Sequence, residues 1–182
     1  MVTTGTCTSR RGAYAPLSDP TLLVVFVESE KAAFAISALA VRSGRRLLAI
    51  ATGGCWGWRG RVEIKVTAPG GREEERGPLS DLALIAWEQE RAAYVVFDSN
   101  TATNQRVRSA RWAFAHTLVC LGAKVCFVDV PGEGGPNGPD DLIGTAGDEA
   151  MLNLPDTSRP FAEQAERGAE QATGQLSESS SL

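Results

Sequence analysis

The sequence is short of most residues that would advertise a chemistry directly. It holds one histidine, His116, in 182 residues, which sets aside Ser-His-Asp triads and histidine-ligated metal centres. Its four cysteines, Cys7, Cys55, Cys120 and Cys126, form no CxxC pair. Neither a zinc site nor a disulfide framework is indicated, and a reduced, cytoplasmic setting is expected. The longest apolar run, Leu22 to Val27, is far too short to span a bilayer, and Met1 to Ser9 is too polar for a signal peptide. An excess of positive charge is missing too. Eighteen Lys and Arg against 22 Asp and Glu leave a net charge of −4, the reverse of what bulk electrostatic binding of nucleic acid requires. Any nucleic-acid role must therefore rest on a local patch, a bound metal ion or a partner. No GxxxxGK[ST] occurs, and no GxGxxG follows the first apolar run, so a P-loop ATPase is excluded and a dinucleotide-binding enzyme disfavoured.

What is present describes an ordinary globular chain, 43% hydrophobic and 22% charged. Its length suits one domain, which can bury about 70% of the unfolded surface without staples. Residues 1–19 lack apolar periodicity and read as a disordered arm. Residues 156–182 read as a flexible tail, although Phe161 to Gln171 has the composition of a frayed helix. The folded unit expected between them, residues 20–155, alternates in period. Leu22–Val27 is a strand buried on both faces, and Glu30–Ser43 is an amphipathic helix that stops at Gly44. Arg46–Ala51 is a second strand, and Ser80 is placed to cap a helix over Asp81–Glu90. Ala93–Phe97 is a third strand, Asn104–Leu121 a long helix and Lys124–Val130 a fourth strand. Val62–Val66 alternates like an edge strand, then turns at Pro69-Gly70-Gly71 into a charged loop, an excursion from the main pattern. The rhythm predicts an α/β fold, a mostly parallel sheet of about four strands flanked by helices.

Ligands of open parallel sheets bind beyond the carboxyl ends of the strands. There the sequence places Glu28-Ser29-Glu30-Lys31 after the first strand, Asp98-Ser99-Asn100 after the third, and Asp140-Asp141 beyond a glycine-rich stretch after the fourth. Carboxylates converging on one rim repel unless a divalent cation neutralises them, and oxygen donors suit Mg²⁺ or Mn²⁺. Taken singly, each acid also reads as a helix cap or a turn residue. Arg106, Arg108 and Arg111, at the start of the long helix, are either phosphate contacts or a solvated basic face. Trp56 and Trp58 either stack on a base or plug the end of the sheet. His116 reads as a surface residue.

The order of these motifs resembles the Toprim domain of topoisomerases and bacterial primases. The resemblance is closer to one branch, domain-of-unknown-function family 3854. It is carried by Val27-Glu28-Ser29-Glu30-Lys31-Ala32, Gly54-Cys55-Trp56-Gly57-Trp58, Phe97-Asp98-Ser99-Asn100 with Asn104 and Val107, Gly122-Ala123-Lys124-Val125 and Asp140-Asp141, and it spans Leu22 to Leu154. It implies a Toprim-like domain of phage or plasmid replication proteins that works on DNA beside a primase or helicase. By the same resemblance, Glu28 matches the general acid or base of nucleotidyl transfer. Asp98 and Asn100 match the two Mg²⁺-holding aspartates of a DxD motif, and Asp140 and Asp141 match a later KGxDD-like element that joins them as metal ligands. Lys31, Arg106, Arg108 and Arg111 are the implied nucleic-acid contacts. Three positions depart from the pattern: Ser29 for a common Gly, Asn100 for an acid, and Asn137 for the lysine. Asn100, the missing lysine and the acidic charge balance favour a second reading, a catalytically degenerate module that binds or recruits a primase or helicase.

Overall fold

The computed structural model describes residues 15–67, 71–88, 91–132 and 134–164. Strands β1 (Leu23–Val27), β2 (Leu47–Ala51), β5 (Ala92–Val96) and β6 (Lys124–Phe127) form a parallel sheet, and β7 (Arg159–Pro160) adds to it antiparallel. The order is β2-β1-β5-β6-β7, so the fold class is the one expected, with a fifth strand at the edge. Strands β3 (Arg59–Thr67) and β4 (Gly71–Pro78) pair with each other as a separate antiparallel hairpin. The helices are α1 (Ala15–Ser18), α2 (Glu30–Ser43), α3 (Gln105–Cys120), α4 (Pro139–Ala146) and α5 (Asp148–Asn153).

The continuous apolar strands serve two faces because side chains alternate along a strand. Val24 and Phe26 of β1, Leu48 and Ile50 of β2, and Ala93 and Val95 of β5 point to one side. There they meet Val107, Phe114 and Leu118 of α3, with Trp58, Trp87 and Phe161 closing the margins. Val25, Val27, Ala49, Ala51 and Val96 point to the other side, against Ala33, Ile36 and Leu39 of α2, Leu142 of α4 and Met151 of α5. Phe114 sits at the centre of the first layer, edge-on to Phe26 at 4.9 Å and stacked on Trp58 at 5.2 Å.

Helix α2 begins as its sequence demands. Ser29 is extended (φ −109°, ψ 152°) and its Oγ accepts the N–H of Ala32 at 3.1 Å; Gly44 ends the helix at φ 67°. That Ser29 backbone suits any residue, so a glycine there is not needed. Asn104 caps α3 in the same way through the N–H of Arg106.

Several expectations are corrected. The helix expected over Asp81–Glu90 is a short 3₁₀ turn, Ser80–Leu84, with no side-chain cap; Glu90 lies outside the described residues. Tertiary demand overrides helical propensity at this point. Leu82, Ile85 and Trp87 all enter the core, the Trp87 indole donates to the Leu82 carbonyl, and the Ala86 N–H bonds Leu17. The charged loop after Pro69 is strand β4. Both margins of the folded unit move outward. Leu17 is buried within α1, while β7 and the buried Phe161 belong to the sheet and its core rather than to a flexible tail. Residues 1–14, and the part of the Phe161–Gln171 helix beyond 164, lie outside the described residues. No helix among the described residues is long and apolar enough to cross a membrane.

One buried cation fastens the amino-terminal end of the sheet. Arg91, 3% exposed, donates to the carbonyls of Pro16, Leu17, Leu22 and Ala86. Burial pulls its pKa below the usual arginine value.

Candidate functional site

The carboxyl ends of β1 and β5 lie side by side because the strands pair in parallel, Val27 opposite Val96. Glu28 and Asp98, the first polar residues beyond them, are thereby neighbours. Glu28 Oε1 accepts the backbone N–H of Asp98 at 3.1 Å, which aims the glutamate across the rim. Its main-chain carbonyl accepts the N–H of Gly54 at 2.8 Å, tying in the turn after β2. That turn is tight enough to exclude a side chain at Gly57, where a Cβ would lie 2.0 Å from the Thr52 carbonyl oxygen. Within the turn, burial and then the nearby Glu28 charge push the Cys55 thiol up, so Cys55 is held as an inert thiol rather than a nucleophile.

Asp140 reaches the same rim from the first turn of α4, where acids are favoured by the helix dipole. The approach passes through Gly138: a Cβ there would sit 2.6 Å from Asp98 Oδ1 and 3.2 Å from Asp140 Oδ1. The hydrogen atoms of a glycine are thus all that separate two carboxylates from different segments. The Ser99 N–H to Asn137 carbonyl bond, 2.8 Å, fixes the two loops together. Burial, then the charges of Glu28, Asp140 and Asp141, push the Asp98 carboxyl up to about 6. Such a shift, from desolvation plus named like charges in a cleft, marks functional sites more often than structural ones.

Other expected residues fall differently. Lys31 points back onto the rim, its Nζ 2.7 Å from Asp140 and 3.5 Å from Asp141, and the Asp140 hydrogen bond first, then both charges, raise its pKa. Asn100 is exposed on the 3₁₀ turn Ser99–Ala102, and its carbonyl organises that turn by accepting from Thr103 and Asn104. Arg106 and Arg108 are both exposed, and Arg108 donates to the Ala102 carbonyl at 2.7 Å. Arg111 is buried at 6% exposure, its Nη1 2.6 Å from Asp129 Oδ1 and its guanidinium 4.4 Å over the Phe127 ring. Trp58 is a buried plug and Trp56 is 40% exposed beside it, with rings 6.0 Å apart. His116 is on the surface.

Sequence reasoning missed two charged residues. Asp129 interrupts the apolar run Val125–Val130, which was the available signal; Arg159 lies in the stretch expected to be tail. Burial would raise the Asp129 carboxyl, but Arg111 and Arg159 beside it hold it below the usual range. These groups frame a cavity of about 270 Å³ that Asp98 also lines.

The donors were tested as a metal centre on their geometry. Among the described residues, no three His, Cys, Asp or Glu side chains form a ready-made cage. Asp98 and Asp140, converging over Gly138 with Glu28 adjoining, offer oxygen ligands only. That set fits Mg²⁺, which commonly takes one or two carboxylates and completes its shell with water and substrate phosphate.

Fold and rim together define an α/β protein whose parallel sheet presents crowded carboxylates beyond its carboxyl ends. The sequence profile of the domain of unknown function DUF3854 matches residues 16–150, and the chain belongs to that family. This is the family read from the motif order. No curated protein matches the chain. Among solved structures it is similar to the Aquifex aeolicus primase (zinc-binding and RNA polymerase domains), at 16% identity and a TM-score of 0.48, over 84% of this chain. The match spans only 30% of that primase chain.

Proposed function

We propose that this chain is a Toprim-like domain that makes or breaks phosphodiester bonds on DNA during replication of a mobile element, using Mg²⁺ or Mn²⁺. The observation that carries the reading is the gathering of Glu28, Asp98, Asp140 and Asp141 from three separate segments onto one rim, where burial first and then the neighbouring charges lift the Asp98 carboxyl to about 6. Evolutionary tolerance of such repulsion makes sense where a cation relieves it. A divalent ion held by Asp98 and Asp140, with Asp141 beside them, supplies charge neutralisation for a reacting phosphate. Glu28, fixed by the Asp98 N–H, is oriented to move a proton on the attacking or leaving hydroxyl. Lys31, its Nζ 2.7 Å from Asp140, stands at the rim where it can meet a phosphate bound there. A cytoplasmic location and a primase or helicase partner accompany this reading.

Calorimetry with Mg²⁺ and Mn²⁺ tests it. Saturable binding that disappears in Asp98→Ala is the expected result, followed by nuclease or primer-synthesis activity that Glu28→Gln abolishes. Absence of binding by a folded protein, with and without single-stranded DNA, overturns it.

One observation favours the degenerate module: Asn100 stands on an exposed turn and supplies no carboxylate where the motif places one. If Asn100→Asp alone brings tight metal binding or activity, the natural chain is the recruiting module.

A further inference from the structure

Asp98 also lines a pocket of different character. Its cavity, about 270 Å³, is lined by three arginines, Arg108, Arg111 and Arg159, against two acids, Asp98 and Asp129, with Thr101 between them. In an acidic protein with 18 basic residues, three arginines on one small cavity are a concentration that chance surface charge does not give. Each is held in place. Arg108 donates to the Ala102 carbonyl at 2.7 Å and reaches Thr101 at 3.5 Å. Arg111 and Arg159 grip opposite oxygens of Asp129. The guanidinium of Arg111 also lies flat on Phe127, and its Nε is a buried donor without a partner. A buried guanidinium left one donor short, in a well-packed site, is the condition a bound anion relieves. The three arginines come from two separate segments, Arg108 and Arg111 from α3 and Arg159 from β7. The pocket is thus built by the tertiary fold rather than by one helix face.

The geometry points to a phosphate-binding subsite in this cavity, holding a terminal phosphate of the nucleic-acid or nucleotide substrate against Arg108, Arg111 and Arg159. A cavity of about 270 Å³ has ample room for a phosphate group. Guanidinium forks match phosphate oxygens in planar pairs, which a lysine cluster would not. Asp98 is the residue common to both sites. A phosphate in the cavity therefore lies beside Asp98, which the carboxylate rim shares. This inference rests on the proposed phosphodiester chemistry for the identity of the substrate, though not for the presence of the anion.

Binding measured in EDTA separates the two, because the arginine pocket requires no cation. The full chain is titrated against a 3′-labelled single-stranded DNA carrying either a 5′-phosphate or a 5′-hydroxyl, with nucleoside triphosphate as competitor. A 5′-phosphate that binds about tenfold more tightly identifies a nucleic-acid end as the source. Competition by triphosphate, without discrimination between the two DNA ends, identifies a nucleotide. In either case Arg108→Gln and Arg159→Gln each remove the preference, while Arg45→Gln, at the opposite end of the sheet, leaves it intact. Arg108 and Arg159 are exposed, so their loss leaves the fold standing, and melting curves verify this. Equal affinity for the two DNA ends with no competition by triphosphate, or a preference or competition that survives both variants, overturns the subsite. Metal binding lost in Asp98→Ala alongside an unaffected phosphate preference would separate the two sites; phosphate preference without any metal binding would retain the subsite and overturn the chemistry.

Discussion

The two ends of the parallel sheet handle charge in opposite ways. At the amino end, a single guanidinium is taken fully inside and met by four main-chain carbonyls from three segments. Asp19 acts on it from a distance and is itself paired with Arg46 at 2.9 Å. At the carboxyl end, burial and then the charges of carboxylates from other segments push Asp98 up to about 6. A buried cation that satisfies carbonyls ties α1, β1 and the loop before β5 into one closed end. Crowded anions do the reverse, since a carboxyl raised on folding lowers stability at neutral pH. The same sheet is finished for rigidity at one end and left electrostatically unfinished at the other.

The comparison breaks if the two ends respond alike to mutation. The largest effect is expected at Arg91. Arg91→Met strands four carbonyls behind an apolar side chain, and urea denaturation should show a loss of about 3 kcal/mol or more with little pH dependence. A loss below about 1 kcal/mol would mean that water satisfies those carbonyls and that the end is open.

Gly138→Ala should act in the contrary sense. Its Cβ meets the movable tip of Asp98 rather than backbone, so the fold yields easily while the two carboxylates are driven apart. Mg²⁺ affinity should fall about tenfold with the melting temperature nearly unchanged, as read by calorimetry and thermal melts. Equal affinity would remove Asp98 and Asp140 as joint ligands.

The smallest effect is the most diagnostic. A carboxyl whose pKa is raised on folding binds its proton more tightly in the native state, so stability declines as pH climbs from about 4 to above 6. Asp98→Asn removes that penalty. In metal-free protein it should stabilise by about 1 kcal/mol at pH 7.5, the full shift being discounted for the partial solvation of the group, and by nothing near pH 4. An Asn variant less stable than the parent at pH 7.5 would show that Asp98 is satisfied rather than crowded.

Much of this was legible in the chain. Leu22–Val27 reads as a doubly buried strand, and its two-residue alternation does divide between the layers of α2 and α3. Ser29 and Gly44 marked the ends of α2, and Asn104 the start of α3. Glu28 and Asp98 could be placed at one rim because parallel strands put like ends together. What escaped were features that leave no periodic trace. Strand β4, Gly71 to Pro78, is nearly all Arg, Glu, Gly and Pro, so no apolar alternation announces it. Strand β7 is two residues long. The helix expected from Asp81 was decided by where Trp87 and Ile85 had to be buried, which local propensity does not encode. Asp129 and Arg111 are 18 residues apart and Asp129 and Arg159 are 30, separations that only the folded sheet makes into contact.

The hairpin offers a different lesson. The N–H of Leu79 bonds the Trp58 carbonyl at 3.0 Å, so the chain leaves the core and returns to it through a single closed neck. Loop closure is settled at that neck and costs little more as the branch lengthens. Strands β1, β2 and β5 keep their register whatever lies between residues 59 and 78. The hairpin is therefore an appendage that descent or design can exchange freely: a place where relatives can differ in size, and where a foreign segment can be grafted without disturbing the rim.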